Sequence, residues 1–128
     1  MPDFVESDYP LTKHFRLGEL WCPCCHGVNI GNLRRLCLQL EFVRADYGPI
    51  EIASGFRCTL HNLEVRGRTF SRHLEGKAAD IKVWTDGDRF RLVHALLKHG
   101  FRRIGIGKTI IHGDIDESAV PILWTYYP

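Results

Sequence analysis

The stretch Ser71-Arg72-His73-Leu74-Glu75-Gly76-Lys77-Ala78-Ala79-Asp80-Ile81-Lys82-Val83-Trp84 decides how the chain is read. Its second half alternates: Ala79, Ile81 and Val83 share one face of a strand expected over 79–84, while Asp80 and Lys82 share the other. Gly76 lets the backbone reverse before that strand, so His73 sits on a turn that leads toward Asp80. Asp80 then faces away from the apolar layer, where a carboxylate requires a partner or water.

The same logic applies downstream, at Thr109-Ile110-Ile111-His112-Gly113-Asp114-Ile115-Asp116. Ile111 and Ile115 point one way, and His112, Asp114 and Asp116 point the other. Two strands therefore offer polar groups on one face of a sheet whose other face packs on helices. His73, Asp80 and His112 supply two imidazoles and a carboxylate, a donor set suited to Zn²⁺. Three protein ligands leave one position open for water, whose pKa the metal lowers toward about 7. A histidine and an aspartate with six residues between them also occur as ordinary surface groups, so spacing alone does not choose between these readings.

Around this centre the periodicity predicts two helices. Asn32 is the expected N-cap of the first, with Leu33, Leu36, Cys37, Leu40, Val43 and Tyr47 at helical spacing and Gly48-Pro49 as its stop. Asp86-Gly87-Asp88 opens the second, with Phe90, Val93, Leu96 and Leu97 as its apolar stripe and Gly100 as its end. A short amphipathic piece is expected around Leu17, Leu20 and Trp21, and a short helix over 61–65. Further strands are expected at 50–53 and 103–107. Helices and strands out of regular alternation point to an α+β fold with an antiparallel sheet, helices on one face and the metal cleft on the other.

The chain has 128 residues, 45% hydrophobic and 25% charged, which fits one globular domain over 1–128 with a lead-in at 1–13. These proportions exclude a disordered chain, a collagen-like repeat and a long coiled coil. The 17 Lys+Arg against 15 Asp+Glu are scattered, so no nucleic-acid partner is expected. No apolar run is long enough for membrane insertion. The acidic Met1–Asp8 segment lacks the pattern of a signal peptide, so five largely reduced cysteines in a reducing compartment are expected.

Ser71-x-His73-x-x-Gly76-x-Ala78-x-Asp80, followed by Ile111-His112-x-Asp114, resembles the zinc D-Ala-D-Ala carboxypeptidases and L-alanyl-D-glutamate endopeptidases of bacterial peptidoglycan, which share a fold with the Hedgehog signalling domain. Ser54-Gly55-Phe56-Arg57-Cys58-x-x-His61-Asn62 is similar to that family's Ser-Gly-Tyr-Arg segment. His14-Phe15-Arg16-Leu17-Gly18-Glu19-Leu20-Trp21-Cys22-x-Cys24 resembles its small, often phage-associated carboxypeptidase-like branch. The resemblance covers about residues 14–126.

It implies one zinc per chain held by His73, Asp80 and His112, with a peptidoglycan stem peptide as substrate. A monomer is expected as the working form. The resemblance further implies that Arg57 grips a substrate carboxylate and that Ser71 touches the peptide near the metal. Asn62 stands where relatives carry an amide, and Trp124 is expected either beside the cleft or in the core. Several relatives carry an acid three residues before the last histidine, as general base; Thr109 stands there instead. Asp114 is the best substitute, either as base or as the carboxylate that orients an imidazole, with Glu75 and His61 as weaker candidates. If none serves, the alternative is a non-catalytic zinc-containing wall-binding or phage structural module. A wall substrate without a secretion signal points to a phage or prophage protein delivered by other means.

Cys22-Pro23-Cys24-Cys25-His26 holds one CxxC pair, Cys22 and Cys25. It reads as reduced turn cysteines, as a disulfide, or as a structural zinc site if Cys37 or Cys58 joins. Cys37 is expected in the core, and His94 and His99 in packing or solvent roles. Gly105-x-Gly107 is not a phosphate loop, because no helix start with Lys and Ser/Thr follows.

Overall fold

The computed structural model describes residues 7–65, 67, 71–117 and 120–126. Met1 to Glu6 of the expected lead-in lie outside the described residues, as does Tyr127.

Among the described residues four helices and five strands follow one another: α1 (Leu17–Leu20), α2 (Ile30–Tyr47), β1 (Ile52–Ser54), α3 (Thr59–Glu64), β2 (Ala78–Lys82), α4 (Asp86–Lys98), β3 (Arg103–Ile106), β4 (Ile110–Asp114) and β5 (Ile122–Thr125). A 3-10 turn, Arg72–Glu75, precedes β2. No helix among the described residues is long and apolar enough to cross a membrane.

α2 forms because Leu33, Leu36, Cys37, Leu40 and Val43 recur at helical spacing, and all five are buried. Its N-cap is Asn29 rather than the expected Asn32: the Asn29 side chain accepts from Asn32 N at 3.1 Å. Asn32 instead donates from Nδ2 to the carbonyl of Glu75 at 2.8 Å, tying α2 to the turn that bears His73.

α4 begins at the Thr85 cap, with Asp86 and Asp88 in the positive first turn. Its buried stripe is Leu92, Ala95 and Leu96. The expected stripe is therefore half corrected: Leu96 is buried and Val93 packs at its margin, whereas Phe90 and Leu97 lie 73% and 57% exposed. Both stripes satisfy helical spacing, and the helix is rotated toward the one that meets α2 and β4.

The sheet runs β1-β2-β4-β3-β5. β1–β2, β2–β4 and β3–β4 pair antiparallel, but β3 and β5 pair parallel. The sheet is thus mixed, which corrects the antiparallel expectation. No strand is expected from sequence at 122–125, yet Trp124 lies within β5, beside Gly105 of β3.

One face of the sheet carries Ala79, Ile81, Ile104 and Ile111, which join Leu33, Leu36, Leu40, Leu92 and Leu96 in a single core. Fully burying each such leucine or isoleucine contributes about 1.5–3 kcal/mol of transfer free energy. Register fixes the opposite face. Ser54 pairs with Asp80, Asp80 with His112, His112 with Gly105, and Gly105 with Trp124, so one row crosses all five strands. Helices α2 and α4 cover the first face and this polar row lies on the second, as expected.

Candidate active site

Among the described residues the buried polar side chains are Asn62, His73, Asp80, His112 and Asp114. They gather around the middle of the polar row, where Asp80 and His112 pair across β2 and β4. Burying this many polar groups is costly unless they satisfy one another or a ligand.

His73 reaches the row from the 3-10 turn. Ser71 caps that turn, its hydroxyl accepting from His73 N at 3.2 Å. Gly76 ends it at φ 73°, a left-handed conformation that favours glycine, and the chain then enters β2. His73 Nδ1 lies 2.7 Å from the Gly55 carbonyl oxygen, so Nδ1 carries the proton and donates it there. That leaves the lone pair of Nε2 facing Asp80 Oδ1, 3.2 Å away.

His112 is oriented by the mirror arrangement. Its Nε2 lies 2.8 Å from Asp114 Oδ2, so Nε2–H donates to that carboxylate and Nδ1 faces Asp80 Oδ1 at 3.1 Å. One nitrogen from each imidazole and one carboxylate oxygen thus lie within 4.8 Å of one another. A tetrahedral zinc with bonds of about 2.0–2.1 Å separates its ligand atoms by about 3.3 Å, close to the two distances found. The donor set, its spacing and the two fixed tautomers fit a zinc ion.

Burial opposes charge on Asp80, but hydrogen bonds to His112 and His73, with their charges, outweigh it and hold the carboxyl well below its usual range. Burial opposes protonation of His112 as well. There the hydrogen bonds to Asp114 and Asp80 win, and the pKa rises above the ordinary 6.5.

Arg57 closes one side of the cluster. Nη2 donates to Asp80 Oδ2 at 3.1 Å, Nη1 to Asn62 Oδ1 at 3.3 Å, and Nε to Ser54 Oγ at 3.2 Å. Asn62 comes from α3 and is buried, so it braces the guanidinium. Beside Arg57 a depression of about 330 Å³ is lined by Trp21, Ser54, Gly55, Arg57 and His61, among others.

Trp124 closes the other side. Its ring centroid lies 5.2 Å from that of His112, and the Arg103 guanidinium lies 5.8 Å from the Trp124 centroid. This close approach requires Gly105: a Cβ there would fall 2.6 Å from Trp124 Cε2. The Trp124 Nε1–H is buried with no hydrogen-bond partner among the described residues.

Asp114 is almost fully enclosed, its side chain 1% exposed, and its oxygens also meet Arg103 Nε at 3.1 Å and Asp116 N at 3.3 Å. Thr109 is exposed in the turn before β4, and its carbonyl accepts from Val83 N. Glu75 is largely exposed, 3.9 Å from Lys77 Nζ. Arg103, the Gly55 carbonyl and Gly105 are not anticipated from sequence. Strand register sets Arg103 beside Asp114 and Gly105 beside His112, and the turn that carries His73 brings it to the Gly55 carbonyl. Cys37 lies in the core, as expected, and His99 pairs with Asp46 at 2.5 Å.

No curated protein matches the chain at a significant level. The family model of peptidase M15 does, over residues 13–116, a span that runs from before α1 to beyond β4 and includes Arg57 and the whole His73–Asp80–His112 cluster. A match over that much of 128 residues shows the family: the chain belongs to the peptidase M15 family of zinc peptidases, which act on peptidoglycan.

Proposed function

We propose that this chain hydrolyses a peptide bond in the stem peptide of bacterial peptidoglycan, as a D-Ala-D-Ala carboxypeptidase or an L-Ala-D-Glu endopeptidase, with zinc held by His73, Asp80 and His112. The observation that carries the reading is the pair of imidazole nitrogens, with fixed tautomers, aimed at one carboxylate oxygen at 3.1 and 3.2 Å. Zinc bound there supplies Lewis-acid chemistry, polarising a carbonyl oxygen and making a water acidic.

The chain's own groups do the rest. Arg57 spends three of its donors on Ser54, Asn62 and Asp80, and this bracing points its remaining N–H groups toward a substrate carboxylate. Ser71 accepts from the His73 amide and so keeps its own hydroxyl proton to donate to the bound peptide. Trp124 offers an apolar wall beside His112 for the bound peptide. Asp114 holds His112 in the ligating tautomer, and Arg103 pairs with that carboxylate.

A second reading is favoured by the enclosure of Asp114 and by Thr109: a zinc-containing wall-binding or phage structural module without turnover. The test incubates the purified zinc-loaded chain with muropeptides and follows the products by mass spectrometry. Released D-Ala identifies a carboxypeptidase, and a cut between L-Ala and D-Glu an endopeptidase. Binding without any product supports the module and overturns the enzyme.

A further inference from the structure

We propose that Cys22, Cys24, Cys25 and Cys58 form a second metal site, a closed four-thiolate site for a structural zinc ion. It stands on observations independent of the peptidase reading. All five cysteines are free thiols, and these four place their sulfur atoms within 4.8 Å of one another. Cys22 Sγ and Cys24 Sγ are 3.4 Å apart, and Cys24 Sγ and Cys58 Sγ are 3.3 Å apart. Four Zn–S bonds of about 2.3 Å define a tetrahedron with edges of about 3.8 Å, the size of this cluster. The fifth, Cys37, is buried in the core and takes no part.

The surroundings hold the four sulfurs together. Cys22 N donates to the Gly27 carbonyl at 2.9 Å, and His26 N donates to the Cys22 carbonyl at 2.7 Å, which curls the turn around its own thiols. His26 adopts a left-handed φ of 57° in that turn, and its ring stacks on Trp21 with centroids 4.0 Å apart. Gly27 leaves room for the third thiol, since a Cβ there would lie 3.1 Å from Cys25 Sγ. Two backbone amides point at sulfur: Cys58 N at Cys22 Sγ and His61 N at Cys58 Sγ, each at 3.4 Å. Such donors stabilise thiolate charge and orient it toward a metal.

Soft sulfur donors select zinc over magnesium or calcium. Four protein ligands fill a tetrahedral shell and leave no open position, so this site is structural rather than catalytic. Binding releases the thiol protons to solvent, which reaches the cluster through the exposed Cys24 and Cys25. The bound ion would cross-link the turn after α1 to the cap of α3, one residue beyond Arg57. The spacing Cys-x-Cys-Cys followed by a distant cysteine departs from zinc-finger patterns, which is why the sequence presents only one CxxC pair.

The test uses the full chain, purified under reducing conditions without chelator. The expected result is two zinc ions per chain in the unaltered protein, and one in a variant carrying His73→Ala and His112→Ala. Cobalt loaded into that variant is expected to give the intense sulfur-to-cobalt charge-transfer absorption of a tetrahedral thiolate site. Cys58→Ser is expected to remove that absorption and one zinc. Should Cys58→Ser fail to fold, thiol labelling of the unaltered protein decides. Protection of Cys24 and Cys25 until zinc is stripped supports the site; their immediate labelling with no zinc released overturns it. No metal in the double-histidine variant, or a disulfide among the four in the purified protein, would overturn it too.

Discussion

Replacing Asp114 with asparagine separates an orienting carboxylate from a general base. Asp114 accepts from His112 Nε2 at 2.8 Å and meets Arg103 at 3.1 Å, with its side chain 1% exposed. Asparagine keeps the shape but has one acceptor oxygen where the carboxylate has two, so its NH₂ must face either His112 or the side of Arg103 and the Asp116 amide. If it faces His112, the imidazole proton is driven to Nδ1, the atom that faces Asp80 and would bind a metal there. If it faces Arg103, a largely buried guanidinium loses its counter-charge. Losing a carboxylate that orients a ligating imidazole typically weakens metal binding by about 10–100-fold, or about 1.4–2.8 kcal/mol. Competition against a chromophoric chelator measures this directly, and the expected result for Asp114→Asn is a zinc affinity lower by that factor. The variant's His112 should also protonate at a lower pH, because Asp114 is a main cause of its raised pKa. Unchanged zinc affinity with collapsed turnover would refute the orienting role and leave Asp114 as the base.

Three further outcomes are expected. Metal-free and zinc-loaded protein should respond oppositely as pH rises above 6.5. The raised pKa of His112 means its protonated form stabilises the empty fold, a contribution present below the unfolded pKa and lost as pH climbs through the folded one. Zinc competes with that same proton, so the loaded protein should gain stability over the same window; parallel melting curves at several pH values check the signs, and equal slopes would contradict them. Gly105→Ala should cost about 1–3 kcal/mol in denaturant unfolding and change the tryptophan fluorescence, because its Cβ would collide with Trp124 at 2.6 Å. Arg57→Lys should lower turnover of a carboxylate-terminated peptide about tenfold or more, chiefly through KM, since lysine cannot bridge Ser54, Asn62 and Asp80 while also binding an anion. An unchanged KM would remove Arg57 from substrate binding.

Local pattern carried a great deal here. Alternation through β2 and β4 placed Ile81 and Ile111 on one face and Asp80 and His112 on the other, because successive strand residues point to opposite sides. Helical spacing identified the buried face of α2 residue by residue. For α4 it did not, since two stripes satisfy the same period and only contact with α2 and β4 selects Leu92 over Phe90. The short β5 was missed for a similar reason: it is largely exposed, so burial imposes little alternation on it, and its parallel pairing with β3 depends on a return path that no local signal encodes.

The sequence by itself determined which residue types the site contains, His73, Asp80 and His112 among them, because their chemistry and short-range periodicity are properties of the chain. The tertiary structure alone decided how they are used. Strand register set Asp80 against His112 and Gly105 against Trp124, and a turn brought the Gly55 carbonyl to His73. Folding across 34 residues joined Cys58 to Cys24. Tautomers, buried ion pairs and clustered thiols depend on distances between segments far apart in sequence, and those distances exist only once the core has closed.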